Sequence, residues 1–74
     1  MTTYRVIVDT LNVRAGPSTA YNIVAFYTYG DLIPGCHGPI YGEDGRLWLR
    51  YLASSGAMRY VCYSNSGTRY LEIA

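Results

Sequence analysis

The stretch Leu11-Asn12-Val13-Arg14-Ala15-Gly16-Pro17-Ser18 constrains this chain more than any other. Leu11 and Val13 fall on one face and Asn12 and Arg14 on the other, the period of 2 that a half-buried strand requires. The strand stops at Gly16-Pro17-Ser18: Gly admits positive φ, Pro sets φ near −65°, and Ser bonds its own backbone, so the chain must turn here. A polar loop closed by Tyr21 follows, then the apolar run Ile23 to Phe26, then a second turn at Gly30-Asp31. Strand, turn, strand, turn within so few residues leaves no room for a helix.

The rest of the chain repeats this rhythm. Tyr4 to Val8 is rich in β-branched residues and reads as a first strand, Leu11 to Ala15 as a second, and Ile23 to Thr28 as a third. The third is so apolar that burial on more than one side is expected. Leu32 to Cys36 reads as a fourth strand, with Pro34 marking an edge or a bulge. Gly35 to Gly45 is Gly/Pro-rich and ends on the turn signal Asp44-Gly45. Arg46 to Leu52, Ala57 to Tyr63 and Arg69 to Ile73 complete the set, separated by Ala53-Ser54-Ser55-Gly56 and by Ser64 to Thr68. No apolar period of 3.6 is sustained anywhere. The fold class is therefore all-β, a barrel or roll of five to seven short strands in one domain, residues 1–74.

The order of residues from Val8 to Asp31 closely resembles the bacterial SH3 (SH3b) family, whose signature is a Leu-Asn-Val-Arg strand, a small residue, Gly-Pro-Ser, a few polar residues with an aromatic, an apolar strand and a Gly turn. The resemblance continues through Trp48 to Tyr51, where the family has a Trp-led strand, and ends at Arg59-Tyr60-Val61, where it has Gly-Trp-Val. Ile33 to Gly45 and the tail after Cys62 lie outside it. The resemblance implies an SH3-like barrel, and a non-catalytic module that holds a covalently linked wall-lytic enzyme, such as a muramidase, on the cell wall. The implied partners are peptidoglycan, through its peptide, or a chitin-like N-acetylglucosamine glycan. The cysteine pair, the Tyr excess and the lack of Lys lean to the glycan, with a peptide ligand as the alternative.

Composition narrows the alternatives. Six Arg and no Lys stand against five acids, a net charge of +1, so the basic field of a nucleic-acid binder is missing. No apolar run nears the roughly 20 residues needed to span a bilayer. Met1-Thr2-Thr3-Tyr4 carries no leader pattern, so a secreted, extracellular setting implies an excised module or a mature fragment. Cys36 and Cys62 permit one pairing. In a core this small a disulfide is the useful role, adding roughly 3–4 kcal/mol and favouring an oxidising compartment.

Catalytic and metal chemistry find little to work with. Cys36 and His37 are adjacent, so on a strand their side chains point to opposite faces, and no zinc-ligand spacing surrounds them. Glu43-Asp44 puts two carboxylates beside a turn Gly, where both are expected to be solvated and ionised rather than to flank a cleft as a glycosidase pair does. No phosphate loop is present. The expectation is a binding module, monomeric, with no catalytic residue, metal or cofactor.

The binding expectation rests on aromatics. Nine Tyr stand against one Phe, and Tyr buries a ring while keeping its hydroxyl available. Tyr21, Trp48 and Tyr60 are expected to line a shallow groove beside the Gly16–Asn22 loop, with Tyr29, Tyr41, Tyr63 and Asn12 as further ligand contacts. The plainer reading has Trp48 and Tyr51 roofing the core, Asn12 satisfying loop backbone groups, and Arg14 tying down a neighbouring carboxylate or carbonyl such as that of Asp9 or Asp31. Two other classes compete. A binder of proline-rich peptides would need an acidic loop that this chain lacks. A structural or oligomerising module would self-associate instead of binding a ligand.

Overall fold

The computed structural model describes residues 1–74 and is all-β. The strands are β1 (Thr2–Val6), β2 (Thr10–Arg14), β3 (Ile23–Thr28), β4 (Leu32–Tyr41), β5 (Leu47–Leu52), β6 (Met58–Asn65), β7 (Thr68–Arg69) and β8 (Leu71–Ile73). They pair antiparallel along the path β3-β2-β6-β5-β4-β1-β8, with β7 beside β6. The all-β class is as expected, while the barrel of five to seven strands is corrected. There are eight, and the path is open, because β3 bonds only β2 and β8 bonds only β1. The extra strand comes from Tyr70. Its N–H donates to the Tyr63 carbonyl and its own carbonyl accepts from Ile7, so the chain passes from one partner strand to another and the expected closing strand splits in two.

Alternation in the strands builds the core. Tyr4 and Val6, Leu11 and Val13, Ile33 and Cys36, Leu49, Val61 and Leu71 form one buried cluster, with Tyr27, Tyr51 and Tyr63 packed against it. The register Val13↔Val61↔Leu49 carries this face across β2, β6 and β5. β3 departs from expectation. It is an edge strand, and all of its residues except Tyr27 are exposed, including Phe26 at 64%. Its apolar composition gives no hint of this, because burial on a second side depends on a neighbour that the topology does not supply.

β4 is longer than expected and absorbs half of the Gly/Pro segment. Pro34 sits where β1 and β4 slip register, between the Thr2↔Cys36 and Tyr4↔Ile33 pairs, as its missing N–H demands. A second slip lies between His37 and Ile40, where Gly38 has φ of +112°.

The expected disulfide is absent: Cys36 and Cys62 are both buried free thiols. The topology explains why. β5 lies between β4 and β6, which separates the two backbones by about two strand spacings, or ~9–10 Å. The Cα atoms of a disulfide lie within roughly 7 Å. Moreover Cys62 pairs with Trp48, and Trp48 with Ile40, so Cys36 is also displaced along the strand. Cys36 Sγ lies 3.4 Å from the Ile33 carbonyl, and burial pushes its thiol pKa up to about 11.

Candidate functional site

On the outer face of β2, β6 and β5 the same alternation lines up Asn12, Cys62 and Trp48, each next to a core-facing residue. Over this row lies a cavity of about 210 Å³. Val8, Thr10 and Leu11 border it on one side, Arg14 and Thr19 on another, and Arg46 and Tyr70 close the rest.

Two loops hold the cavity in shape. In the loop after β2, the Ser18 hydroxyl accepts from Ala20 N–H and the Tyr21 N–H donates to the Ser18 carbonyl, which curls the chain as the Gly-Pro-Ser sequence dictates. Arg14 Nη1 donates to the carbonyls of Thr19 and Tyr21, both at 3.1 Å. The expected carbonyl-tying role of Arg14 is therefore present, with those two partners in place of Asp9 or Asp31.

The second loop, between β4 and β5, clasps the first. Glu43 N–H donates to the Pro17 carbonyl and the Tyr21 hydroxyl to Glu43 Oε2. Asp44 does most of the joining. Its Oδ2 accepts from Thr19 N–H at 3.2 Å, and its Oδ1 accepts from Arg46 N–H and from Trp48 Nε1, both at 3.1 Å. Arg46 Nε stands 3.4 Å from Oδ2. Glu43 and Asp44 are both exposed, as expected of a pair beside a turn Gly, and each is also held by hydrogen bonds. Partial burial raises the Asp44 carboxyl, but the donors from Trp48, Arg46 and Thr19 outweigh it and hold the group below its ordinary value. The hydrogen bond to Glu43, then the charge of that carboxylate, raises the Tyr21 hydroxyl.

The expected aromatic groove is dispersed. Trp48 lines the cavity but is only 1% exposed, too little to serve as a stacking platform. Asn12 lines the cavity, is exposed, and makes no side-chain hydrogen bond within the chain, so it does not serve the loop backbone. Tyr21 and Tyr60 lie close together on the outer surface but outside the cavity wall. Tyr29 and Tyr41 project from turn and strand end at 68% and 79% exposure, again outside it. Tyr63 turns inward, edge-to-face on Tyr4 with ring centroids 5.8 Å apart. Tyr51 packs on the core and shares a 2.9 Å hydroxyl contact with Tyr27.

Arg46, Thr19, Cys62 and Tyr70 are cavity residues that the sequence did not single out as ligand contacts. The Asp44-Gly45 turn signal could have flagged Asp44 as a backbone acceptor two residues before Arg46. No sequence signal marks Tyr70, which reaches the site from the far end of the chain. No group of three or more His, Cys, Asp and Glu side chains gathers to hold a metal ion.

No family model matches the chain, and no curated protein matches it. Solved structures do. The crystal structure of Ly7917, and that of Ly7917 with the hydrolyzing product of MDP, each match with 33% sequence identity and a TM-score of 0.71. The match covers 96% of this chain and 31% of the Ly7917 chain, so the present chain spans about a third of that protein's length. Fold and sequence together therefore relate this chain to one part of Ly7917.

Proposed function

We propose that this chain is a non-catalytic wall-binding module of the SH3b type, which binds peptidoglycan outside the cell and anchors a covalently linked lytic enzyme there. One observation carries the reading. The cavity of the domain sits on the Leu-Asn-Val-Arg strand, bordered by Thr19 of the loop that follows it, in a chain similar over nearly its whole length to a part of Ly7917. Ly7917 has been solved with a product of MDP, and muramyl dipeptide is a peptidoglycan fragment. Asn12 offers an unspent amide to such a ligand, and the outer aromatics Tyr21 and Tyr60 adjoin Arg14 of the cavity wall.

Co-sedimentation of the isolated domain with purified peptidoglycan, chitin and cellulose tests the reading. Retention on peptidoglycan, reduced by Asn12→Ala without change in the melting temperature, is the expected result. No retention on peptidoglycan overturns it.

A second reading, an oligomerising module, has one observation of its own. The edge strand β3 carries Ile23, Val24 and Phe26 exposed and has no charge or Pro to block pairing. Concentration-dependent sedimentation, without wall binding, would favour it.

A further inference from the structure

We propose that the cavity over Trp48 is a carboxylate site, so that the group it reads is the acidic peptide end of a peptidoglycan fragment and not the neutral N-acetylglucosamine chain. This rests on the wall-binding reading and goes beyond it.

Charge comes first. Two guanidinium groups, Arg14 and Arg46, line the cavity, and no carboxylate does. Asp44 is ion-paired to Arg46, while Arg14 has no acid within ion-pair distance. Glu43, the other acid of the neighbouring loop, is turned to the Tyr21 hydroxyl and lies outside the wall. One cation of the cavity is thus left without an anion in the chain.

Donor capacity comes second. A guanidinium has five N–H groups. Arg14 spends those of Nη1 on two loop carbonyls, which leaves Nη2 and Nε free and pins the side chain. A pinned guanidinium loses less freedom when it takes a ligand. Arg46 engages Asp44 through Nε and lies against the Cys62 thiol, another residue of the cavity wall. Paired N–H donors of this kind match the two oxygens of a carboxylate.

Size comes third. About 210 Å³ falls below the ~300 Å³ at which drug-sized ligand pockets begin. A volume of this size matches one amino-acid-sized group. Its apolar wall from Val8, Leu11 and Trp48 suits the aliphatic part of such a group, and Asn12 suits its amide.

The test is calorimetric titration of the folded domain with three probes: muramyl dipeptide, the same compound with its free carboxyl amidated, and an N-acetylglucosamine oligomer. Muramyl dipeptide is expected to bind, and amidation to weaken it about tenfold or more, the scale of a lost charged hydrogen bond. Arg46→Gln is expected to weaken the acid by a similar factor and the amide little, with the melting temperature checking the fold. Arg14→Lys, which keeps the charge but not the fork, supplies a second variant with an intermediate loss. Equal affinity for acid and amide, or preference for the N-acetylglucosamine oligomer, overturns the carboxylate site while leaving wall binding intact. No binding of any probe by a domain that sediments with peptidoglycan also overturns it. Failure to sediment with peptidoglycan removes the parent reading instead.

Discussion

The indole N–H of Trp48 donates to Asp44 Oδ1 at 3.1 Å. Through this bond the most buried aromatic of the outer face holds the carboxylate that joins the two loops of the cavity. Trp48→Phe keeps most of the packing and removes the donor. It is expected to cost about 1–2 kcal/mol, the scale of one charge-assisted hydrogen bond. Trp48→Ala is expected to cost about 3–5 kcal/mol by leaving a cavity. Denaturant unfolding of both variants measures the difference.

Asp44 also sets the acid limit of the fold. Its pKa in the folded state lies below the ordinary value, so its contribution is complete above the unfolded value of about 3.9 and is lost as pH falls through the lower folded one. Stability is expected to decline from about pH 4 downward, and Asp44→Asn to flatten that decline while lowering stability at neutral pH. Melting temperatures from pH 2 to 7 read both effects.

At the alkaline end the sign reverses. Burial first, and the hydroxyl of Tyr27 second, raise the pKa of Tyr51 far above that of a free tyrosine. Such a group stabilises fully below its unfolded pKa, about 10, and loses that contribution as pH rises through the folded value. Ultraviolet titration is expected to show Tyr51 ionising only with unfolding, and Tyr27→Phe to cost about 1 kcal/mol by leaving the Tyr51 hydroxyl without its partner.

Two glycines at the loop contact predict unequal costs. A Cβ on Gly42 would collide with the Pro17 carbonyl and the Trp48 indole, and backbone cannot step aside. Gly42→Ala is expected to separate the loops and cost about 1–3 kcal/mol. A Cβ on Gly16 would meet only the Tyr21 ring, which is 38% exposed and free to swing outward. Gly16→Ala is expected to be the milder change and to break the Tyr21–Glu43 bond. Thermal melts rank the pair.

The thiols give a direct chemical check. Two free thiols per chain are expected to titrate in denaturant without prior reduction, and reductant to leave the melting temperature unchanged. A single disulfide's worth of missing thiol would contradict the strand order β4-β5-β6.

Local signals by themselves determined much of this protein. The alternation of Leu11 and Val13 against Asn12 and Arg14, the Gly-Pro-Ser turn and the Pro34 bulge were legible because each depends on neighbours a few residues away. On that basis β1, β2, β3, β5 and β6 were placed to within two residues at each end. The fate of apolar and polar side chains was decided only by tertiary structure. Ile23 to Thr28 has the composition of a buried strand and lies at the edge. Asp44 sits beside a turn glycine and is held by donors from Thr19, Arg46 and Trp48. Cys36 and Cys62 are kept apart by the strand inserted between them. The cavity joins Val8, Arg14, Arg46 and Tyr70, which are distant in the chain, so no local pattern could assemble it. Alternation tells a side chain which way to point, while what it meets there is set by the order in which the strands pair.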